Sequence, residues 1–204
     1  NNLESNTIFI ISYDNIMKFS YDSVGGIKKG WSYAINENSD VTGAVLFDLD
    51  GDNLMEIIYR DTKNLIILKD QINGANEVSL NFCKSGTHFE SPTIGKTATN
   101  QTTKIFTTCR DDDKSIGEYL TVFGPSPSTK WTPARNLYHI PYNPLFINDD
   151  GTIPQHMHNP ATYKNGKYNN FNAQASLIDE NGNYPVAAAS LTGDITCTSY
   201  DAAT

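Results

Sequence analysis

The sequence predicts an all-β protein built from a repeated unit of four short strands, and three observations lead to this prediction. Apolar runs rich in β-branched and aromatic residues alternate with clusters of Asp, Asn, Gly and Ser, the pattern of strands joined by turns. Similar runs return at a spacing of about fifty residues, which is typical of repeat architectures. Aromatic residues make up 11% of the chain and charged residues only 19%, a composition typical of β-rich extracellular proteins.

The first repeat opens the patterned part of the chain. Thr7–Ile11 is a predicted strand, Ser12 to Asp14 a turn, and 15–19 a second strand. A third strand, 31–35, follows the turn at Gly25 and Gly26. The polar residues before Thr7 carry no pattern.

The second and third repeats show the same order of strands. In the second repeat the predicted strands are 44–47, 57–60 and 64–68. The last two correspond to the first two strands of the preceding repeat at an offset of 49 residues. The third repeat continues the series with predicted strands at 92–95, 105–107 and 119–123.

A nine-residue loop, 48–56, separates the first two strands of the second repeat. Oxygen-bearing side chains stand at its first, third, fifth and ninth positions, and Gly51 stands where the backbone must turn sharply. Calcium takes about six to eight oxygen ligands in a flexible shell, which alternate residues of a tight loop can supply. The sequence therefore predicts a Ca²⁺ site formed by the side chains of Asp48, Asp50, Asp52 and Glu56 and by the backbone carbonyl of Leu54.

Two other interpretations of this loop compete with the calcium site. A helix-loop-helix calcium site needs a bidentate Glu at position twelve, and that position is Tyr59. An ordinary hairpin turn also uses Asp, Asn and Gly, because these residues tolerate turn dihedrals and cap their own backbone. Carboxylates that converge without a counter-ion repel one another, which favours the calcium site over the simple turn.

The corresponding loop of the third repeat, 96–104, has lost this pattern. Lys96 stands at its first position, and Ala98, Asn100 and Lys104 take the other three ligand positions. Two acidic positions have become lysine, so the sequence predicts that this loop holds no calcium.

Three repeats of this kind predict a β-propeller, in which each four-stranded blade packs against its neighbours. The first repeat lacks its opening strand and its metal loop. Propellers usually have about four to eight blades, so three repeats do not close a ring. We expect the chain to be the end of a larger propeller, with an open or two-layer β arrangement as the alternative.

The three cysteines suggest one crosslink. In an extracellular protein, two cysteines at the ends of strand regions form a disulfide more often than they remain free thiols. We predict a disulfide between Cys83 and Cys109, across the boundary of two repeats. Cys197 then has no partner within the chain.

After Gly124 the strand pattern gives way to a proline- and aromatic-rich segment. Prolines remove backbone donors and aromatic side chains supply contact area, so such a segment can pack in order without regular ladders. We predict that it wraps irregularly over the strands.

Two stretches of the chain resemble a known family. The loop 47–52 with 56–61 resembles the FG-GAP/VCBS repeat, whose members form calcium-bearing propeller blades. The runs 130–136, 148–154 and 169–171 resemble the closing region of propellers in very large surface proteins of gliding bacteria. The resemblance implies export by the type IX secretion system and immunoglobulin-like repeats after the propeller. On this basis we expect blades at 1–135, a closing wrap at 136–178, and a linker or following immunoglobulin-like domain at 179–204.

Charge and motifs narrow the expected function. The net charge of −8 argues against nucleic-acid binding, which needs clustered Lys and Arg. No apolar run approaches the roughly 20 residues of a membrane span. The sequence also contains no recognisable Ser/His/Asp order, phosphate-binding Gly loop or catalytic carboxylate pair apart from the acids assigned to calcium.

With the resemblance, these observations predict a calcium-stabilised, non-enzymatic binding module of an exported adhesin for surface attachment and gliding motility. We expect it outside the cell or on the outer cell surface, with a carbohydrate or protein ligand. The alternatives are a propeller-type polysaccharide lyase or glycosidase, and a structural cap that contacts the secretion machinery.

Overall fold

The structure is a computed structural model. It describes residues 7–37, 43–52, 54–69, 77–81, 91–96, 102–110, 118–126, 129, 131–135, 145–148, 152–166 and 195–200. Within these ranges the protein is all-β, as the sequence predicts, with eleven strands, one short 3₁₀ helix and no α-helix. No helix in the described part of the chain has the length and apolarity needed to cross a bilayer.

The strands form three antiparallel sheets in which strands that follow one another in the chain pair with one another. The first sheet contains β1 (Thr7–Ile11), β2 (Asn15–Asp22) and β3 (Gly26–Ala34). The second contains β4 (Val45–Phe47), β5 (Glu56–Arg60), β6 (Asn64–Leu68) and β7 (Glu77–Asn81). The third contains β8 (Thr93–Lys96), β9 (Thr103–Arg110), β10 (Glu118–Pro125) and β11 (Ile195–Tyr200).

The repeat found in the sequence is reproduced in the pairing of the strands. Ile8 pairs with Phe19 in the first sheet, and the residues 49 positions further on, Ile57 and Leu68, pair in the second. The β1–β2 and β5–β6 turns also match, because the Ser12 amide donates to the Asn15 carbonyl at 2.8 Å and the Asp61 amide to the Asn64 carbonyl at 3.0 Å. The repeated sequence therefore specifies a repeated register.

The third sheet follows the same register. Leu46 pairs with Ile57 across β4 and β5, and Ile94 pairs with Ile105 across β8 and β9. Ile105 in turn pairs with Phe123 on β10, as Ile57 pairs with Leu68 on β6. A one-residue slip would exchange the two faces of a sheet, so this agreement fixes which residues face each neighbour.

The second sheet lies between the other two, and both of its faces are buried. Ile57 and Tyr59 pack with Ile16 and Trp31 of the first sheet in one apolar cluster. The alternate residues of the second sheet belong to a second cluster shared with the third sheet; its members are Val45, Phe47, Leu49, Ile58, Leu65, Ile67, Ile94, Ile105, Phe123, Trp131 and Ala134. Burial on both faces explains why β5 and β6 are almost continuously apolar instead of alternating.

The outer face of the first sheet is apolar but exposed. Ile8 is 52% exposed, whereas its equivalent in the second sheet, Ile57, is completely buried. Ile10 and Tyr21 on the same face are also exposed. The positions that the second sheet buries against the first sheet are therefore exposed to solvent in the first sheet itself.

Residues outside the predicted blades also enter the fold. Ile195–Tyr200, which the sequence analysis assigned to a linker or a following domain, form β11 and pair with β10. Between β10 and β11 the described residues contain turns and the 3₁₀ helix Tyr163–Gly166 but no strand, in keeping with an irregular segment. The described strands form no closed ring.

Candidate metal centre

The acidic loop 48–56 connects β4 to β5, and its geometry follows from the hairpin that it closes. Phe47 and Glu56 are the last paired residues, so Asp48 and Glu56 stand together at the mouth of the loop. Gly51 has a φ of 79°, which L side chains rarely adopt, so glycine is required at this point of the turn.

Aspartate side chains shape this turn from within. The Asp48 carboxylate accepts the amide of Gly51 at 2.7 Å, and the Asp52 carboxylate accepts the amide of Leu54 at 2.8 Å. A longer bond of 3.3 Å joins the Asp52 amide to Asp50 Oδ1. These bonds alone would suit an ordinary turn and do not indicate a metal.

Three of the predicted ligands converge on one point. Asp48, Asp50 and Glu56 each offer an oxygen, and the three oxygens lie within 4.8 Å of one another. All three side chains are buried. Carboxylates held this close with little solvent around them repel strongly unless a cation or a proton lies among them.

Glu56 provides the second and stronger indication that a cation fits this site. One of its oxygens, Oε2, accepts the amide of Leu49 at 2.6 Å. The other, Oε1, is buried and has no hydrogen-bond partner, and the residue as a whole is only 1% exposed. A buried acceptor with no partner is costly and is rare in folded proteins.

The electrostatics of Glu56 agree with its geometry. Burial, followed by the charge of Asp50 and then those of Asp48 and Asp52, raises the pKa of Glu56 to about 9, although the Leu49 hydrogen bond acts in the opposite direction. Without a metal, this carboxyl therefore holds a proton at neutral pH. A divalent cation in the same place would supply the positive charge instead.

The other two predicted ligands lie further out. The side chain of Asp52 is 33% exposed and is not one of the three converging carboxylates. Leu54 is 40% exposed, with its side chain partly in solvent. Coordination by Asp52 and by the Leu54 carbonyl stays a prediction.

Lys69 is part of the cluster and was missed by the sequence analysis. It follows β6 directly, and its ammonium donates a hydrogen bond to Asp50 Oδ2 and lies 3.9 Å from Asp52 Oδ2. The repeat could have indicated that Lys69 lies near the loop, because extending the Ile57–Leu68 pairing by one residue places Lys69 opposite Glu56.

The segment after β10 also contacts the loop. The Thr132 amide donates to the Leu49 carbonyl at 2.8 Å, and the Thr132 hydroxyl donates to the Asp48 carbonyl. Thr103 on β9 holds this segment from the other side, donating to the Thr132 carbonyl at 2.5 Å and accepting the Ala134 amide at 2.8 Å. The loop is thus tied to the third sheet by a contact that no local sequence pattern indicates.

Two further predictions fall on parts of the chain that the structure does not describe. Cys83 and the side chain of Cys109 are outside the described residues, so the disulfide stays a prediction. Residues 97–101 of the third repeat's loop are outside them as well. Lys104 pairs with Gly95 as Glu56 pairs with Phe47, in agreement with the repeat, whereas Lys96, predicted as the first loop residue, is the last residue of β8.

No protein-family model matches the chain, and neither a curated protein nor a solved structure shows significant similarity to it.

Proposed function

We propose that the chain is a calcium-stabilised binding module whose ion is held by Asp48, Asp50, Asp52, Glu56 and the Leu54 carbonyl. The observation that carries this proposal is the buried Glu56 Oε1, which has no hydrogen-bond partner and lies beside two other buried carboxylates. A cation in this place would give that oxygen a partner and neutralise the repulsion within the loop.

The donor set favours calcium over other metals. All the proposed ligands are oxygens, which suit hard cations, and among the described residues neither a thiol nor an imidazole enters the cluster. Magnesium demands near-ideal octahedral geometry and gives up its water reluctantly, whereas calcium accepts irregular shells with more ligands. A hairpin loop that supplies several carboxylates and one carbonyl fits the second description better.

Calcium would act on the fold through the contacts of the loop. The ion would tie the end of β4 to the start of β5, and Thr132 connects the same loop to the segment after β10. Binding to the folded state alone would stabilise it by about 2.7 kcal/mol at a free calcium concentration one hundred times the Kd.

The arrangement of the sheets supports propeller blades as the architecture. Three sheets of equal register stack face to face, with the second between the other two. The exposed apolar face of the first sheet corresponds to covered faces in the second and third, which supports a further sheet of the same kind packed there.

In this proposal the module belongs to an exported adhesin at the cell surface and binds carbohydrate or protein. The support is the resemblance of the loop to FG-GAP/VCBS repeats together with the acidic, aromatic-rich composition. A rigid, calcium-tied scaffold suits this role, because loops held in fixed positions lose less entropy on binding a ligand.

Calcium titration of the 204-residue chain by isothermal titration calorimetry tests the metal site. We expect saturable binding of Ca²⁺ to the wild type and its loss in Asp48→Asn. Asp14→Asn is the matched control, because it removes one exposed carboxylate outside the loop. Equal binding by wild type and Asp48→Asn would contradict the site.

Ligand binding needs a separate experiment. The chain is screened on glycan and matrix-protein arrays with calcium and with chelator. Binding that requires calcium is expected. Absence of any retained ligand in calcium would contradict the adhesin role while leaving the metal site intact.

A further inference from the structure

The ammonium of Lys69 lies beside the carboxylates of the metal loop. Its side chain is 13% exposed, although lysine usually keeps its ammonium in water, and it bonds to Asp50, which is 6% exposed. The hydrogen bond to Asp50 and the nearby carboxylate of Asp52 favour the charged form of this ammonium. The acidic loop therefore keeps Lys69 charged.

Both oxygens of Asp50 are already engaged. Oδ1 accepts the Asp52 amide at 3.3 Å, and Oδ2 accepts the Lys69 ammonium. A calcium ion bound by Asp50 would lie next to that ammonium, and two cations on one carboxylate in a poorly hydrated site repel each other. Calcium and Lys69 would therefore compete for the Asp50 carboxylate.

Glu56 and Lys69 stand opposite each other across β5 and β6, and the equivalent pair differs in the other two repeats. In the first sheet it is the neutral pair Thr7 and Ser20. In the third, Lys104 takes the place of Glu56 and Gly124 the place of Lys69; a Cβ on Gly124 would collide with the Lys104 ammonium. Of the three sheets, only the second has an acid at this position, and only there does a lysine stand opposite.

We propose that Lys69 is a built-in counter-ion that offsets part of the negative charge of the metal loop in the absence of calcium and must be displaced when calcium binds. It would lower the calcium affinity of the site and keep the metal-free protein folded. This inference rests on the calcium site proposed above.

The test compares Lys69→Met with the wild type, using the 204-residue chain and calcium alone as the probe. Lys63→Met is the matched control, because it removes the same charge from an exposed position in the β5–β6 turn. We expect Lys69→Met to bind calcium about 10- to 100-fold more tightly in calorimetry, since no charge-assisted hydrogen bond has to be broken. In chelator its Tm should fall by about 5 °C, because the acidic loop loses its counter-ion. Lys63→Met should change neither value.

The outcomes separate this inference from the calcium site itself. Equal calcium affinity in wild type and Lys69→Met would overturn the counter-ion role and leave the calcium site standing. Binding by Lys69→Met alone would support the counter-ion role and contradict calcium as the wild type's ion. Binding by neither protein would overturn both.

A second measurement covers the case in which Lys69→Met does not fold. In the wild type the hydrogen-bonded Lys69 ammonium should exchange its protons slowly and give its own NMR signal in chelator. Addition of calcium should abolish that signal as the side chain moves into solvent. A signal unchanged at saturating calcium would contradict displacement.

Discussion

Replacement of Glu56 by Gln should change the stability of the protein in opposite directions with and without calcium. Gln keeps an oxygen that can accept the Leu49 amide, and it cannot ionise. In chelator the variant should be the more stable protein at alkaline pH. In calcium the wild type should be the more stable, because the variant has lost a charged ligand.

The size of the effect in chelator follows from the pKa of Glu56. In the folded, metal-free protein it is raised to about 9 from an ordinary value of 4.5. Between these two values the folded protein holds a proton that the unfolded chain releases. Stability therefore falls as pH rises through this window, opposite to the usual behaviour of a paired carboxylate.

Between pH 5 and pH 8 this linkage amounts to about 4 kcal/mol, because each pH unit inside the window costs about 1.4 kcal/mol. For a chain of this size, 1 kcal/mol corresponds to a shift in Tm of about 2–4 °C. The wild type in chelator should thus lose about 10 °C in Tm over this pH range relative to Glu56→Gln. Other titrating groups are common to both proteins and cancel in the comparison.

The assay is thermal unfolding followed by circular dichroism at pH 5 and pH 8, in chelator and in excess calcium. Glu37→Gln is the control, because it removes a buried carboxylate outside the loop and should keep the rise in Tm on adding calcium. Parallel pH profiles of wild type and Glu56→Gln in chelator would refute the electrostatic argument. A rise in Tm with calcium in Glu56→Gln as large as in the wild type would refute the ligand role.

Three further predictions concern the sheets and the turns. Ile57→Ala should lower the free energy of unfolding by about 2–5 kcal/mol in chemical denaturation. Ile8→Ala, at the equivalent exposed position, should lower it by about 1 kcal/mol or less. Equal losses would show that the outer face of the first sheet is covered. Thr132→Val should cost about 1–3 kcal/mol and weaken calcium binding, since its hydroxyl no longer bonds the metal loop; unchanged calcium affinity would contradict the link to the loop. The pKa of Asp22 is lowered to about 2, chiefly by the hydrogen bond from Lys28 and then by the turn amides, and it should rise in Lys28→Met when followed by NMR. Its stabilising effect should be lost as pH falls from about 3.8 to about 2; an unshifted titration would contradict that ion pair.

Much of the fold was predictable because it depends on short-range pattern. The apolar runs located most of the strands in all three repeats, and the 49-residue offset anticipated the identical pairing of Ile8 with Phe19 and Ile57 with Leu68. The boundaries were less accurate. β2 extends to Asp22 and β3 begins at Gly26, because the turn there is tight and both strands continue up to it.

The candidate site was only partly predictable. The spacing of the acids in the loop indicated that Asp48, Asp50 and Glu56 would converge, because the hairpin brings the two ends of the loop together. Asp52 lies outside this group, since its carboxylate caps the Leu54 amide and remains partly in solvent. Thr132 was not predictable, because its contact with Asp48 spans 84 residues and depends on how the third sheet packs.

The amino-acid sequence by itself determined the strands, their repeat and the acidic loop, because side-chain alternation, turn residues and ligand spacing are local properties of the chain. The tertiary structure alone decided which sheet lies in the middle, that 195–200 joins β10, and that Glu56 is buried beside Lys69 with one oxygen left without a partner. These features arise from the packing of whole sheets, in which burial removes the water that would otherwise screen the charges of the loop.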